Sequence, residues 1–241
     1  MHGDAADRLR SDGYRFFVVF ELEQDEESIR NAIDAFKEAA ACVSESADDP
    51  RLAASLVYVS IAYQKRYARF GRIDDLREAI RQGQIALGVS VKSLPSFPAC
   101  LHNLGTAFTH RFEYSAALDD ISEAIQNLQR AIQFTHAKDA NLPQRLNDLG
   151  IAFLSRFAHT GDLDDITKAI ENVRHAIQLT PHGDADLPVW FNNLGNAFSS
   201  RFDCTGDLDD ISQAFQNQQH APQLLSGPAH CMPICQPAST V

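Results

Sequence analysis

A seven-residue motif recurs three times in this chain of 241 residues at a fixed interval. The copies share the form x-x-Leu-Gly-x-Ala-Phe and occupy residues 102–108, 147–153 and 192–198. Their glycines, Gly105, Gly150 and Gly195, lie 45 residues apart. An interval of roughly 20–50 residues is typical of a solenoid, in which each copy buries its apolar face against the next. We therefore expect one stacked array, with its function on a repeated surface.

Each copy is predicted to contain two helices. Around Gly105, the three- and four-residue spacing of Leu101, Leu104 and Phe108 indicates helix A, from about Pro98 to Glu113. A glycine within a helix costs about 1 kcal/mol relative to alanine, so we expect another helix to pack closely against it. Helix B begins near Leu118 with the same spacing, and acidic residues in its first turn favour the positive end of the helix dipole.

The pattern extends towards the N-terminus. Ser60 takes the glycine position in the preceding copy, and a degenerate first copy has Gly13, with Phe16 and Phe20 as core residues of its helix A. The predicted fold is all-α, a right-handed α-solenoid of about five antiparallel helix pairs over residues 1–221. The predicted units are residues 5–47, 48–93, 94–138, 139–183 and 184–221. Residues 222–241 begin with a proline, lack the pattern and are predicted to form an irregular tail.

Two charged positions recur once in each of the last four copies. The arginines at the end of helix A are Arg66, Arg111, Arg156 and Arg201, and the aspartate pairs at the start of helix B are 74/75, 119/120, 164/165 and 209/210. These residues form either a charged binding strip or arginine–carboxylate pairs within the scaffold. We favour the second interpretation.

The residues resemble the tetratricopeptide repeat (TPR). Its pattern of Leu-Gly-x2-aromatic and then Ala-x3-apolar-x2-Ala is matched by Leu149-Gly150-x2-Phe153 and by Ala169-x3-Val173-x2-Ala176. The usual unit has about 34 residues, so this one is longer. The resemblance covers residues 5–221 and implies a stack of helical hairpins whose A helices line a concave groove.

The long unit, with its Arg-Phe and Gly-Asp-Leu-Asp-Asp stretches, is similar to tandem repeats of fungal proteins that carry a C-terminal caspase-like CHAT domain. It is also similar, more loosely, to the cargo-binding repeats of kinesin light chains. The chain contains no CHAT domain, so the protease activity of those larger proteins does not carry over.

Polar residues cover the face of helix A that lies opposite its apolar stripe. An asparagine side chain both donates and accepts hydrogen bonds, so a ladder of them is suited to the backbone of a bound peptide. Alternatively, these side chains are solvated or bridge neighbouring repeats. The candidate groove residues are His102, Asn103, Thr106, His110, Asn147, Asp148, Ile151, Ser155, Asn192, Asn193, Asn196 and Ser199, flanked by Thr109, Leu154 and Ser200.

The composition disfavours several classes of partner. A net charge of −11 is unsuited to the phosphates of nucleic acids or to an anionic membrane surface. No apolar run approaches the roughly 18 residues needed to span a membrane. Five cysteines, an odd number, do not indicate a disulfide framework. We expect a cytoplasmic location and leave a nuclear one open.

No catalytic, cofactor or metal site is predicted. His230, Cys231 and Cys235 are too loosely spaced for a zinc site, and the His182-Gly183 dyad lies in a linker, away from any nucleophile framework. The leading prediction is a non-enzymatic scaffold that binds a protein, as a peptide or helix, in the groove. The alternatives are a regulatory fragment of a CHAT-type cysteine protease, and self-association through an uncapped C-terminal end that exposes Phe198, Phe202 and Phe215.

Overall fold

The structure is a computed structural model that describes residues 2–43, 49–90 and 96–220. This part of the chain forms ten α-helices and no strand. The A helices are α1 (His2–Glu23), α3 (Pro50–Phe70), α5 (Ser96–Ser115), α7 (Leu142–Thr160) and α9 (Leu187–Thr205). The B helices are α2 (Glu26–Val43), α4 (Ile73–Val89), α6 (Leu118–Gln133), α8 (Leu163–Leu179) and α10 (Leu208–His220). Each helix packs against the next along the chain, which confirms the predicted solenoid of helix pairs.

Local sequence signals set the helix ends. Three A helices end at a glycine with a positive φ angle: Gly71, Gly161 and Gly206, at 70°, 72° and 70°. Glycine adopts this left-handed conformation without the steric cost that a Cβ imposes. As predicted, Asp162 caps α8 by accepting a hydrogen bond from the backbone amide of Asp164. Helix α5 is two residues longer at each end than the sequence predicts.

The motif glycines lie where helix A crosses helix B of the same unit. A Cβ added to Gly105 would lie 2.7 Å from Leu128 Cγ, and one added to Gly150 would lie 2.5 Å from Val173 Cγ2 and 3.1 Å from the carbonyl oxygen of Ala169. These distances are too short for any side chain, so the glycine permits the close approach of the two helices. The predicted role of the glycines is confirmed.

The second unit has a serine in place of the motif glycine. Ser60 of α3 is buried, and its hydroxyl donates a 2.8 Å hydrogen bond to the carbonyl oxygen of Ala79 on α4. The facing residue of α4 is Gly83, where the next unit has Leu128. A Cβ on Gly83 would lie 3.6 Å from Ser60 Oγ, an ordinary contact, and 3.2 Å from Leu104 Cδ1 of α5. Gly83 therefore leaves room for Leu104 of the next unit, and this hairpin accommodates a serine on helix A.

The recurring arginines pair with the second aspartate of each predicted pair. Arg156 donates two hydrogen bonds to Asp165, from Nε at 2.7 Å and from Nη2 at 2.6 Å. The Asp165 side chain is 2% exposed, and the hydrogen bonds raise the pKa of Arg156 above its ordinary value. The equivalent pairs are Arg66–Asp75, Arg111–Asp120 and Arg201–Asp210. Pairing within the scaffold, the interpretation favoured above, is confirmed.

The ends of the array correct two predictions. Phe16, predicted to be a core residue, is 37% exposed because no helix pair of the described chain precedes α1, whereas Phe20 is buried as predicted. Phe198, predicted to be exposed at the C-terminal end, is only 2% exposed, and its ring contacts the preceding unit, where Arg174 of α8 lies over it at 5.5 Å. Phe202 is half-buried, and Phe215 is 62% exposed.

Some predictions fall outside the described residues. They are the tail at residues 222–241, with His230, Cys231 and Cys235, and the unit boundaries near residues 47 and 93.

We expect Gly150→Ala to lower the free energy of unfolding by about 1–3 kcal/mol, because the added methyl group overlaps Val173 and the α8 backbone. The control is Gly88→Ala, since Gly88 is an exposed helical residue with no atom within 4 Å of an added Cβ. It should leave stability unchanged or raise it by up to about 1 kcal/mol. Urea unfolding followed by circular dichroism would measure both; equal midpoints would contradict the crossing argument.

We expect Asp165→Asn to lower the free energy of unfolding by about 2–3 kcal/mol, because Arg156 then loses the carboxylate that neutralises it. Asp164→Asn is the matched control at the adjacent position, where the side chain is 67% exposed and pairs with the exposed Lys168. Its effect should stay below about 1 kcal/mol. Urea unfolding followed by circular dichroism would measure both variants. Similar losses of unfolding free energy in the two would show that the buried Arg156–Asp165 pair stabilises the fold no more than the exposed Lys168–Asp164 pair does.

Candidate partner-binding groove

The A helices lie on the inner face of the stack. Successive A helices contact one another along the array, from α1 and α3 to α7 and α9, whereas successive B helices within the described residues do not. The stack therefore curves with its A helices inside. We call the concave face of α1, α3, α5, α7 and α9 the groove.

A chain of polar contacts links three A helices beneath the groove. Asn193 of α9 donates a hydrogen bond to Asn147 Oδ1 at 3.0 Å, and Asn147 donates to Asp148 Oδ1 at 3.2 Å. Asp148 Oδ2 lies 2.7 Å from His102 Nε2 on α5. Asn147 is 4% exposed. These four predicted residues therefore contact neighbouring repeats, which is the alternative to peptide binding that the sequence left open.

Two further predicted residues hydrogen-bond within their own helix. Asn103 Nδ2 donates to the carbonyl oxygen of Ala99 at 2.8 Å, and Thr106 Oγ1 donates to that of His102 at 2.9 Å. Both side chains are half-buried. Asn103 keeps its amide oxygen, and Thr106 its hydroxyl lone pairs, to accept a hydrogen bond.

The remaining predicted residues of α7 and α9 are accessible. Asn192 and Asn196 are exposed, and Ile151, Ser155 and Ser199 are half-buried. Among the described residues, neither Asn192 nor Asn196 has a hydrogen-bond partner, so both amides are available to a ligand. Asn147 and Asn192 occupy the same motif position but differ in burial, because α9 covers Asn147 and no described A helix covers Asn192.

His110 lies near the middle of the groove. Its ring stacks against that of Tyr67 with the centroids 6.4 Å apart, and its Nδ1 is buried without a hydrogen-bond partner among the described residues. Burial lowers the pKa of His110 below its ordinary value of 6.5, and the negative charge of Asp148 partly opposes that shift. Burial therefore disfavours the protonated form of this ring in the folded chain.

Sequence reasoning missed the apolar N-terminal part of the groove. Tyr58 and Ile61 stand at the positions of Asn103 and Thr106, one unit earlier, and both are half-buried. Tyr14 of α1 packs edge-to-face against Tyr58, with ring centroids 4.6 Å apart, and is 38% exposed. Transferring the register of the third unit back by 45 residues would have found Tyr58 and Ile61. The groove therefore changes from aromatic and apolar at α1 and α3 to amide-rich at α9.

Solved structures of other proteins share the fold of this chain. No protein-family model matches the chain, and no curated protein matches it. The nearly identical TPR-like repeats of a Podosopora anserina protein assigned as a kinesin light chain superpose with a TM-score of 0.62 at 14% identity, over 90% of this chain and 98% of that one.

Two further solved structures have a similar fold. BtubC (BKLC) from P. vanneervenii has a TM-score of 0.57 at 19% identity, covering 99% of this chain and 96% of its own. A thermophilic TPR protein of Thermus thermophilus has a TM-score of 0.53 at 13% identity, covering 89% of this chain and all of its own. The chain has a TPR-like fold. At these identities the likeness establishes architecture alone.

The described residues were also searched for metal ligands and for membrane-spanning helices. Within the described residues, no cluster of three or more His, Cys, Asp or Glu side chains could hold one. Nor is any described helix both long and apolar enough to cross a membrane.

The lowered pKa of His110 predicts a loss of stability in acid. The unfolded chain protonates this ring more readily than the folded chain does, so its contribution is complete above about pH 6.5 and falls as the pH drops towards the folded-state value. His110→Gln should remove that loss, which is no more than about 1.4 kcal/mol at pH 5.5.

The measurement is the difference in unfolding free energy between pH 7.5 and 5.5 for the wild type and each variant. His175→Gln is the control for the loss of a histidine, because His175 is exposed on α8. A wild-type dependence retained in His110→Gln would contradict the prediction.

Proposed function

We propose that the protein is a non-enzymatic interaction scaffold that binds a peptide or helix of a partner protein in the groove. The observation that carries this proposal is the set of polar side chains left accessible on α7 and α9. Asn192 and Asn196 are exposed and have no hydrogen-bond partner among the described residues, and Ser155 of α7 and Ser199 of α9 are half-buried. An exposed amide is hydrogen-bonded to water and can exchange that water for a ligand group that donates and accepts hydrogen bonds.

The geometry of the groove supports a peptide over a small molecule. Its face is formed by five helices in series, which offers an extended surface rather than the contact area of a single helix pair. Amide side chains donate and accept hydrogen bonds, as does a peptide backbone, and so can hold a segment with little sequence preference. Specificity would then come from the apolar end, where Tyr14, Tyr58 and Ile61 offer contact area to a large apolar side chain.

The charge of the chain supports a protein partner over a nucleic acid or an anionic membrane. With a net charge of −11, a phosphate-rich surface would be repelled at long range. The absence of enzymatic activity, of a cofactor and of a metal, and the cytoplasmic or nuclear location, stay predictions.

The alternative of a regulatory fragment of a CHAT-type cysteine protease also stays a prediction. It rests on the resemblance of the long repeat unit to those fungal proteins. Extending the coding sequence downstream would test it, because a following His/Cys catalytic domain would support it.

We expect Asn192→Ala/Asn196→Ala to lose partners that the wild type captures from a cell extract. Both residues are exposed, so the substitutions remove two amides without disturbing the stack, unlike Asn147→Ala, which would break the contact to Asn193. Quantitative mass spectrometry of the captured proteins measures the loss, which should be at least about tenfold for a partner held by both amides.

The matched control is Gln126→Ala/Gln129→Ala, which removes two exposed amides from the B helix α6. Its captured proteins should be those of the wild type. Identical partner lists for all three proteins would refute the proposal that the groove binds a partner. A wild-type protein that captures nothing above an empty resin would refute it as well.

A further inference from the structure

A cleft opens between two successive links that join one helix pair to the next. The third link, residues 134–141, connects α6 to α7, and the fourth link, residues 180–186, connects α8 to α9. The cleft between them has a volume of about 370 Å³, within the range of ligand-binding pockets. Residues of both links line it, together with Trp190, the only tryptophan of the chain. The candidate groove residues are not part of this cleft.

The two links fold in the same way. Asp139 and Asp184 stand at equivalent positions, 45 residues apart. Asp139 Oδ1 accepts a hydrogen bond from the backbone amide of Asn141 at 2.8 Å. Asp184 Oδ1 likewise accepts one from the backbone amide of Asp186 at 3.0 Å. In both links, the backbone amide of the aspartate donates to the carbonyl oxygen three residues earlier. The third link is therefore a structural template for the fourth.

In the third link, the aspartate is paired with a guanidinium group. Arg145 is 4% exposed, and its Nη1 donates a hydrogen bond to Thr135 Oγ1 at 2.5 Å and lies 3.5 Å from Asp139 Oδ2. The side-chain amide of Asn141 donates to Asp139 Oδ1 at 2.9 Å. The hydrogen bonds from Asn141 and the charge of Arg145 lower the pKa of Asp139 below its ordinary value.

The fourth link lacks both of these side-chain donors. Asp186 stands where the third link has Asn141, and Trp190 stands where α7 has Arg145. An ionised carboxylate donates no hydrogen bond, and an indole carries no charge. Within the described residues, neither Asp184 Oδ2 nor the carboxylate of Asp186 has a hydrogen-bond or ion-pair partner. Two negative charges therefore line the cleft where the template holds a cation.

Other polar groups at the cleft are also unpartnered. Trp190 is 5% exposed, and its indole N–H has no acceptor in the part of the chain that the structure describes. Thr180 is the equivalent of Thr135; its hydroxyl donates to the carbonyl oxygen of Ala176 at 2.7 Å and keeps its lone pairs. Lys138 also lines the cleft but forms no ion pair with a described residue. The cleft therefore offers two carboxylates, a hydroxyl acceptor and an indole donor.

The template indicates which group fits these acceptors. A carboxylate beside a threonine hydroxyl is the set that Arg145 contacts in the third link, and the forked donors of a guanidinium group match it. A metal ion fits less well, because the described residues contain no cluster of three or more His, Cys, Asp or Glu ligands. The indole N–H of Trp190 suits a carbonyl oxygen, which a peptide backbone supplies next to its side chain.

We propose that this cleft binds an arginine side chain of a partner protein, with the guanidinium group between Thr180 and Asp184 and close to Asp186. The bound arginine takes the place that Arg145 takes in the third link. The net charge of −11 favours the approach of such a cationic segment. The site is separate from the groove, and its test does not depend on any partner of the groove.

The fluorescence of Trp190 tests the proposal at the cleft itself, because the chain has no other tryptophan. The full chain is titrated with the peptide acetyl-Gly-Gly-Arg-Gly-Gly-amide at constant ionic strength, and isothermal titration calorimetry measures the affinity independently. Matched peptides carry lysine or the uncharged analogue citrulline in place of the arginine. The arginine peptide should bind about fivefold more tightly than the lysine peptide, and the citrulline peptide should not bind.

Two variants locate the binding. Asp184→Asn/Asp186→Asn should weaken binding of the arginine peptide about five- to tenfold. The fold should be unchanged, because asparagine keeps an oxygen that accepts the backbone hydrogen bond of the link. Asp119→Asn/Asp209→Asn is the control, since it removes two charges from exposed positions in the first turns of α6 and α10. This control should bind like the wild type.

Four results would overturn the proposal. The first is a wild type that binds none of the three peptides by either method. The second is equal affinity for the arginine and lysine peptides, which would indicate general attraction of cations to an acidic protein. The third is an affinity that falls by less than about twofold in Asp184→Asn/Asp186→Asn, and the fourth is an equal fall in Asp119→Asn/Asp209→Asn.

Discussion

The two helices of each unit cross so closely that one of them carries a glycine or serine at the contact. Gly105 and Gly150 provide this space on helix A, and the buried Ser60 is the small residue at the same position of the second unit. The backbone carbonyl of helix B lies 3.1 Å from where a Cβ would be in the third and fourth units. This distance determines how closely the two helices of a hairpin pack. It therefore also determines the surface that each hairpin presents to the next one.

The arginine–aspartate pairs fix the same hairpins at their closed ends. Each arginine extends from the last turns of helix A to a buried carboxylate in the first turn of helix B, across the turn between them. The guanidinium group also lies over an aromatic ring one turn earlier, as Arg111 does over Phe108 at 5.2 Å. A carboxylate buried without such a partner would be strongly destabilising, so the pair specifies which turns meet.

Repetition also divides the polar residues of the groove into two groups. Inside the array, Asn147 and Asp148 join neighbouring units, and their hydrogen-bonding groups are occupied within the scaffold. Towards the ends, the same motif positions have fewer neighbours and remain accessible. Accessible side chains therefore lie where the sequence departs from the repeat or where no described helix pair adjoins, as at Asn196, Tyr58 and Phe215.

The sequence by itself determined the period, the helix pairs and the close contact at the glycines, and it favoured the pairing of the arginines within the scaffold. Each of these follows from short-range spacing and from the chemistry of single residues. It could not determine which polar residues are free, since Asn147 and Asn192 share one motif position. Only the tertiary structure separates them, because the packing of α9 buries the first and leaves the second in solvent. Burial depends on neighbours distant in the chain, and a local pattern does not contain them.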